Sequence, residues 1–277
     1  MNQLATHTAT RYVQPLREGG SLPAVVDTDG SGLFVVKFRG AGQGPKVLVA
    51  ELVVGMLADA AGLPVPELAL IDILPAFGRT EPDPEIQDIL KASHGVNVGL
   101  RYLDGAFNFD AYAAGELVDE GFASALVWLD AFVTNPDRTA RNPNLLLWER
   151  RPWLIDHGAA LYAHHDWRGV DDARTRTPFP LIRQHVLLAK AGDLRAADER
   201  ISALLTEERI AAILARVPES LLLDSTRPEF DSADEARDRY LRYLRTRLEA
   251  PRAFAAEAER ARDALLAEAP TPMSARR

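Results

Sequence analysis

The sequence of 277 residues contains no cysteine. Disulfides, thiol nucleophiles and cysteine-ligated zinc are thereby excluded, and a cytoplasmic setting is the expectation. Basic residues are in deficit: 32 Lys and Arg against 40 Asp and Glu give a formal net charge of −8. Dedicated nucleic-acid binders need clustered cations to displace counterions, so no such binding is expected. Long apolar runs are also missing. None approaches the roughly 20 residues that span a bilayer, and no membrane association is expected. The opening MNQLATHTATRYVQPL lacks a basic start, an apolar core and a cleavage site, which argues against an export signal.

What is present is an ordinary globular composition, 47% hydrophobic and 26% charged, in a chain long enough for two lobes sharing a cleft. AVVD, the turn TDGSG and LFVVKF form a hairpin signal, two β-rich runs joined by Gly and Asp. VLVAELVVGMLADAAG then reads as a helix capped by Gly62, with Pro64 and Pro66 keeping the next residues extended. ELALIDIL reads as a strand, GRTEPDPEIQDILKASHG as a polar excursion with a short helix, and VNVGLRYLDGA as a strand running into a connector. Residues 112–133 turn helical, with Val118, Phe122, Leu126, Leu129 and Phe132 at three-and-four spacing. The polar loop TNPDRTARNPN follows, then LLLW and PWLID as a small hairpin. The remainder reads as helices, including PLIRQHVLLAKAG. Strands first and helices later predict an α+β architecture.

The chemistry is concentrated in Asp137-Arg-Thr-Ala-Arg-Asn142, the hairpin, and Asp156-His157-Gly158. Phosphoryl transfer asks little covalent chemistry of a protein: a carboxylate near the acceptor hydroxyl, and oxygen ligands for metal ions that bridge the phosphates. Mg²⁺ prefers oxygen donors and takes few of them from protein. Asp137 is the candidate catalytic carboxylate; Asn142 and Asp156 are the candidate metal ligands. An isolated Asp-x4-Asn is also common turn chemistry. The second Asp after a hairpin, downstream of a lysine-bearing strand, raises it above that reading. Paired carboxylates of a glycosidase are a further reading, which leaves the Asn142 spacing unexplained.

Asp-x4-Asn, a hairpin and Asp-x-Gly resemble the catalytic loop and metal-binding motif of protein kinases. Asn135-Pro136 stands where those kinases carry His-Arg. With LFVVKF, the Glu-bearing helix, GLPVPE, NPDRTARNPNLL and LIDHG, the sequence resembles the HipA-like kinases, bacterial serine/threonine kinases, over roughly residues 11–165. The resemblance implies a two-lobed protein-kinase-like fold. Residues 1–103 would form a small strand-rich N-lobe, 104–268 a larger helical C-lobe and 269–277 a disordered tail. It implies ATP and Mg²⁺, with a protein Ser/Thr hydroxyl as acceptor. A small-molecule hydroxyl and a nucleotide-binding pseudokinase scaffold are the alternatives.

Lys37 falls on the Val35 face of an apolar strand, where an ammonium is costly without a partner. By the resemblance it holds the α- and β-phosphates and Glu51 pairs with it; a snorkelling edge lysine and a flank glutamate are the plain readings. Gly19, Gly20 and Ser21 are a candidate phosphate-covering turn, with a simple hairpin turn as the rival. Arg101 to Leu103 is the candidate connector offering backbone groups to adenine. His164 and His165, without a third ligand, read as a solvated pair. Trp128, Trp148, Trp153 and Trp167 read as core or lobe-interface residues, and the Arg/Glu alternation over 234–262 as solvated helix faces.

Overall fold

The computed structural model describes residues 3–16, 22–30, 32–42, 44–79, 81–111, 115–223 and 228–268. The candidate turn Gly19, Gly20, Ser21 and the expected tail at 269–277 lie outside the described residues. The strand-rich N-terminal region is a closed barrel of β1 (Ala5–Pro15), β2 (Ala24–Thr28), β3 (Gly32–Lys37), β5 (Gly95–Arg101) and β4 (Leu68–Ile73), in that spatial order. The β2–β3 hairpin forms as its turn residues predict, pairing Ala24 with Val36 and Thr28 with Gly32. Closure comes from β1, which runs antiparallel to β2 and parallel to β4. Closing a sheet removes its edges, so no row of backbone donors is left for a stray strand.

The barrel interior is filled by Val26, Phe34, Val36, Ala69, Ile71 and Ile73. Ile86 and Leu90 of α2 (Pro84–Ala92) join that cluster. On the outer face, Leu68, Leu70, Val96 and Val98 pack with α1 (Pro45–Ala60). Every residue of α1 from Leu48 to Ala58 is buried. A helix apolar all round needs cover on every side. The barrel supplies one wall, and α6 (Glu207–Leu214) and α7 (Glu219–Leu222) supply the other.

The helical C-terminal region is built on α3 (Glu120–Phe132), which begins at the N-cap Asp119 and is buried from Ala123 to Phe132. After it, β7 (Leu145–Trp148) and β8 (Arg151–Leu154) form the expected hairpin. Its turn residues Glu149 and Arg150 are both left-handed, at φ 49° and 60°. The two-residue strand β6 (Phe107–Asn108), which the sequence did not signal, adds to β7. Helices α4 (Asp172–Thr175), α5 (Leu194–Leu204), α8 (Ala233–Leu248) and α9 (Ala253–Glu268) complete the region. Trp128 stacks on Phe132 and meets Phe254 edge-on in its core. Trp167 is buried too, whereas Trp148 and Trp153 are half-buried and meet edge-on across the hairpin. Among the described residues no helix is long and apolar enough to cross a membrane.

Three expectations are corrected. PLIRQHVLLAKAG forms two short 3-10 turns, Pro180–Gln184 and Leu188–Lys190, rather than a helix. The break between them lets Val186 N–H bond Arg138 O, a tertiary contact that a continuous helix would forfeit. The faces over 234–262 are not all solvated: Arg247 is buried and donates to Phe132 O at 2.7 Å and Ala131 O at 2.9 Å. It thereby satisfies carbonyls at the negative end of α3. His164 is buried as well, bonded to Tyr240 Oη at 3.0 Å, while His165 is exposed.

Gly99 is a tight point of the barrel. It lies opposite Val36 and Ala69, and a Cβ there would sit 2.7 Å from Ile71 Cγ1 and 3.3 Å from Phe34 Cβ. Overpacking of this kind costs about 1–3 kcal/mol. Gly99→Val is expected to lower the unfolding free energy by that amount, read as a lower urea midpoint at an unchanged denaturant slope; an unshifted midpoint would show that the barrel breathes.

Candidate active site

Lys37 ends β3 opposite Val98, and therefore faces outward beneath α1. Its ammonium is buried and donates to Glu51 Oε2 at 2.8 Å and to Asp156 Oδ1 at 2.5 Å. Glu51 is fully buried on α1, and its Oε2 also accepts His157 N–H at 2.8 Å. One carboxylate oxygen thus ties the barrel lysine to the backbone just past Asp156. Burial alone would push the Lys37 ammonium down, but the charges of Glu51 and Asp156 outweigh it and hold it above its ordinary range. Burial raises Glu51 despite Lys37. For Asp156 burial works upward too, but the charge and hydrogen bond of Lys37 prevail and keep its carboxyl below the usual range.

Asp156 has φ 55°, a left-handed backbone uncommon outside glycine. Its side chain is 41% exposed although its neighbour His157 is buried. Gly158 follows, where a Cβ would lie 2.6 Å from Val47 Cγ1 on the first turn of α1, so a larger residue would force Val47 or the segment to shift.

The loop after α3 presents Asp137, half-buried, and Asn142, exposed. Asp137 Oδ2 accepts from Asn142 Nδ2 at 2.8 Å and from Asn144 Nδ2 at 3.1 Å. With the Asn142 amide nitrogen committed to Asp137, its carbonyl oxygen is the atom suited to a cation. Asn144 carries no role in the sequence reading, yet it is the second amide fixing Asp137. Its carbonyl also accepts Ile155 N–H at 3.1 Å, which joins this loop to the residue before Asp156.

Beneath the loop lies a buried network. Asp130 on α3 accepts Arg138 Nε at 2.6 Å, Asn135 Nδ2 at 3.0 Å and His185 Nε2 at 3.0 Å. Burial opposes its charge, but Arg138 and His185 hold its carboxyl well below the carboxylate range. Arg138 NH1 bonds the Asn144 carbonyl, and its NH2 reaches His157 Nδ1 at 3.3 Å. A single guanidinium therefore braces the Asp137 loop against the Asp156 segment. An apolar-flanked Asp on a helix, eight residues before an Arg, is the only trace of this in the sequence. Asn135 serves the same network, donating to Asp130 and accepting Asp137 N–H at 3.1 Å.

Arg101 stands differently from its sequence reading. It is still in the barrel: its amide donates to Glu67 O at 2.8 Å, and its guanidinium bonds Glu67 Oε2 at 2.7 Å and lies 4.2 Å over Phe34. Its N–H is thus taken up within the barrel, as is that of Tyr102, which donates to Leu33 O at 3.0 Å. Leu103 is buried, and its carbonyl accepts Ala106 N–H at 3.1 Å.

A family model described as HipA-like kinase matches residues 10–176. A crystal structure of the Helicobacter pylori proinflammatory kinase CtkA is similar at a TM-score of 0.60. The match covers 95% of this chain and 98% of that one at 13% sequence identity, a likeness that shows the fold. Among curated proteins, none matches the sequence.

Burial, with Arg138 beside it, lowers His157 to about 3. The unfolded chain takes up this proton near pH 6.5 and the folded one only near 3, so stability is lost as pH falls between those values. Each such histidine contributes a slope of about 1.4 kcal/mol per pH unit. Urea unfolding between pH 7 and 5 is expected to show this loss, and His157→Asn to flatten it by about one histidine's share. An unchanged slope would mean that His157 charges within the fold.

Proposed function

The chain belongs to the HipA-like kinase family, and on that premise we propose that it is an ATP- and Mg²⁺-dependent phosphotransferase acting on a protein Ser or Thr hydroxyl. The observation that carries the proposal is the placement of Lys37 between Glu51 and Asp156. An ammonium fixed beneath α1 and beside a half-exposed carboxylate is where an anionic polyphosphate would be received. In this reading the barrel is the N-lobe, the helical region the C-lobe, and the site the cleft between them.

The donor set suits Mg²⁺: the Asp156 carboxylate and the Asn142 amide oxygen are hard oxygen ligands, and few protein ligands are needed. Mg²⁺, when bound there, supplies charge neutralisation for the transferring phosphoryl group. The chain's own residues do the rest. Lys37, kept charged by its two carboxylates, receives the phosphates. Asp137, oriented by Asn142 and Asn144, accepts the hydrogen bond, and later the proton, of the acceptor hydroxyl. Arg138 and Asp130 hold that loop and touch no reacting atom.

Asp137→Ala is expected to leave ATP affinity nearly intact and to lower phosphoryl transfer about 10²–10⁴-fold, the contribution of a positioned acid–base group. Asp156→Ala is expected to abolish transfer and to remove the Mg²⁺-dependent part of ATP binding. Titration calorimetry with and without Mg²⁺, beside a phosphate-transfer assay on the chain itself and on candidate proteins, separates the two. Wild-type turnover in either variant would defeat the mechanism. Mg²⁺-dependent ATP binding without transfer to any hydroxyl would make the chain a pseudokinase.

A further inference from the structure

Helix α1 begins badly by the rules of helix ends. Gly44 at its N-cap offers no side-chain hydrogen bond, and its first turn contains no acid. Lys46 instead places a cation at the positive end of the helix dipole, where it is disfavoured. The compensation lies outside the helix. Lys46 Nζ donates to the backbone carbonyl of His164 and to Glu229 Oε2 at 2.7 Å.

That contact completes a pattern. Three side chains of α1 act on the backbone that follows Asp156, each at a different residue. Glu51 accepts the His157 N–H. Val47 fills the space that a Cβ on Gly158 would need. Lys46 takes the His164 carbonyl. The helix making these contacts is buried from Leu48 to Ala58, packed between the barrel and the helical region. It is the fixed body, so the effect of the Lys46 contact falls on the segment. Asp156 itself sits in a left-handed conformation that its flanks must impose. The upstream flank is held by β8 and the Ile155–Asn144 bond, the downstream flank by α1.

We propose that Lys46 is a positioning residue for Asp156: with Glu229 it struts the chain between Gly158 and His164 against α1, and so fixes the metal-binding carboxylate. The role assigned to Asp156 rests on the phosphotransferase reading; the strut itself does not.

The test compares full-length wild type with Lys46→Met, Lys46→Arg and Glu229→Gln. Hydrogen–deuterium exchange read by mass spectrometry is expected to speed about tenfold over 158–166 in Lys46→Met, with 51–60 of α1 unchanged. In Lys46→Arg it should return towards wild type, and Glu229→Gln should show the same change more weakly. The Mg²⁺ concentration giving half-maximal ATP binding is expected to rise about tenfold in Lys46→Met, the usual effect of losing a group that orients a ligand. ATP binding without Mg²⁺ should stay as in wild type. Unchanged exchange over 158–166 would overturn the proposal. So would faster exchange spread over α1 and the barrel, or failure of arginine to restore, since either marks a general structural loss. If wild type shows no Mg²⁺-dependent ATP binding, the phosphotransferase reading falls and exchange alone decides: a confined increase upholds the strut, any other result removes it.

Discussion

Burying an ammonium costs several kcal/mol unless carboxylates receive it in good geometry. Lys37 is received by two of them, from parts of the chain 14 and 119 residues away. Removing one member of such a buried pair typically costs about 3–5 kcal/mol, because the survivor is left charged and unsolvated. The last residue of β3, the middle of α1 and the residues after β8 are therefore held in one mutual arrangement. Each can be placed only if the other two are. The closed barrel matters here because it fixes where β3 ends, and the packing of α1 matters because it fixes Glu51.

The second constraint centres on the fully buried Asp130 and meets the first at His157. Asp130 gathers an arginine and an asparagine from the loop after α3 and a histidine from some fifty residues further on. Its neighbour in function, Arg138, spreads one planar fork over the loop, the hairpin and His157, a set of directions that a lysine could not reproduce. Asn135-Pro136 precedes Asp137, where the resemblance to protein kinases would put His-Arg, and Arg138 follows it. The anchoring falls to different positions while the loop is still held from below.

Much of this was legible in the sequence where a cost could be recognised locally. A lysine inside LFVVKF and a glutamate inside VLVAELVV are expensive alone, and the structure brings them together. The two hairpins announced themselves through Gly, Asp and alternating apolar residues. Closure by β1 was not legible, because its pairing with β4 spans some sixty residues and most of its side chains are exposed. Nor was the role of His185, whose segment has helical apolar spacing but is turned by its bond to Asp130. Arg247 looked like one more charge on a solvated face. The carbonyl end of α3 and the Thr175 carbonyl, brought beside it by folding, explain its burial.

The burial of α1 on all its sides also bears on how this chain can be divided. The border expected near residue 103 would leave α1, buried from Leu48 to Ala58, on its N-terminal side, although α6 and α7 cover one flank of it. A fragment ending at that border would carry the barrel intact and expose one flank of α1 to water. Such a fragment has the makings of an aggregate rather than of an independent module. The two halves differ in architecture, yet α1 and the outer face of the barrel lie in the same hydrophobic cluster as the C-terminal helices, although the barrel interior has a cluster of its own.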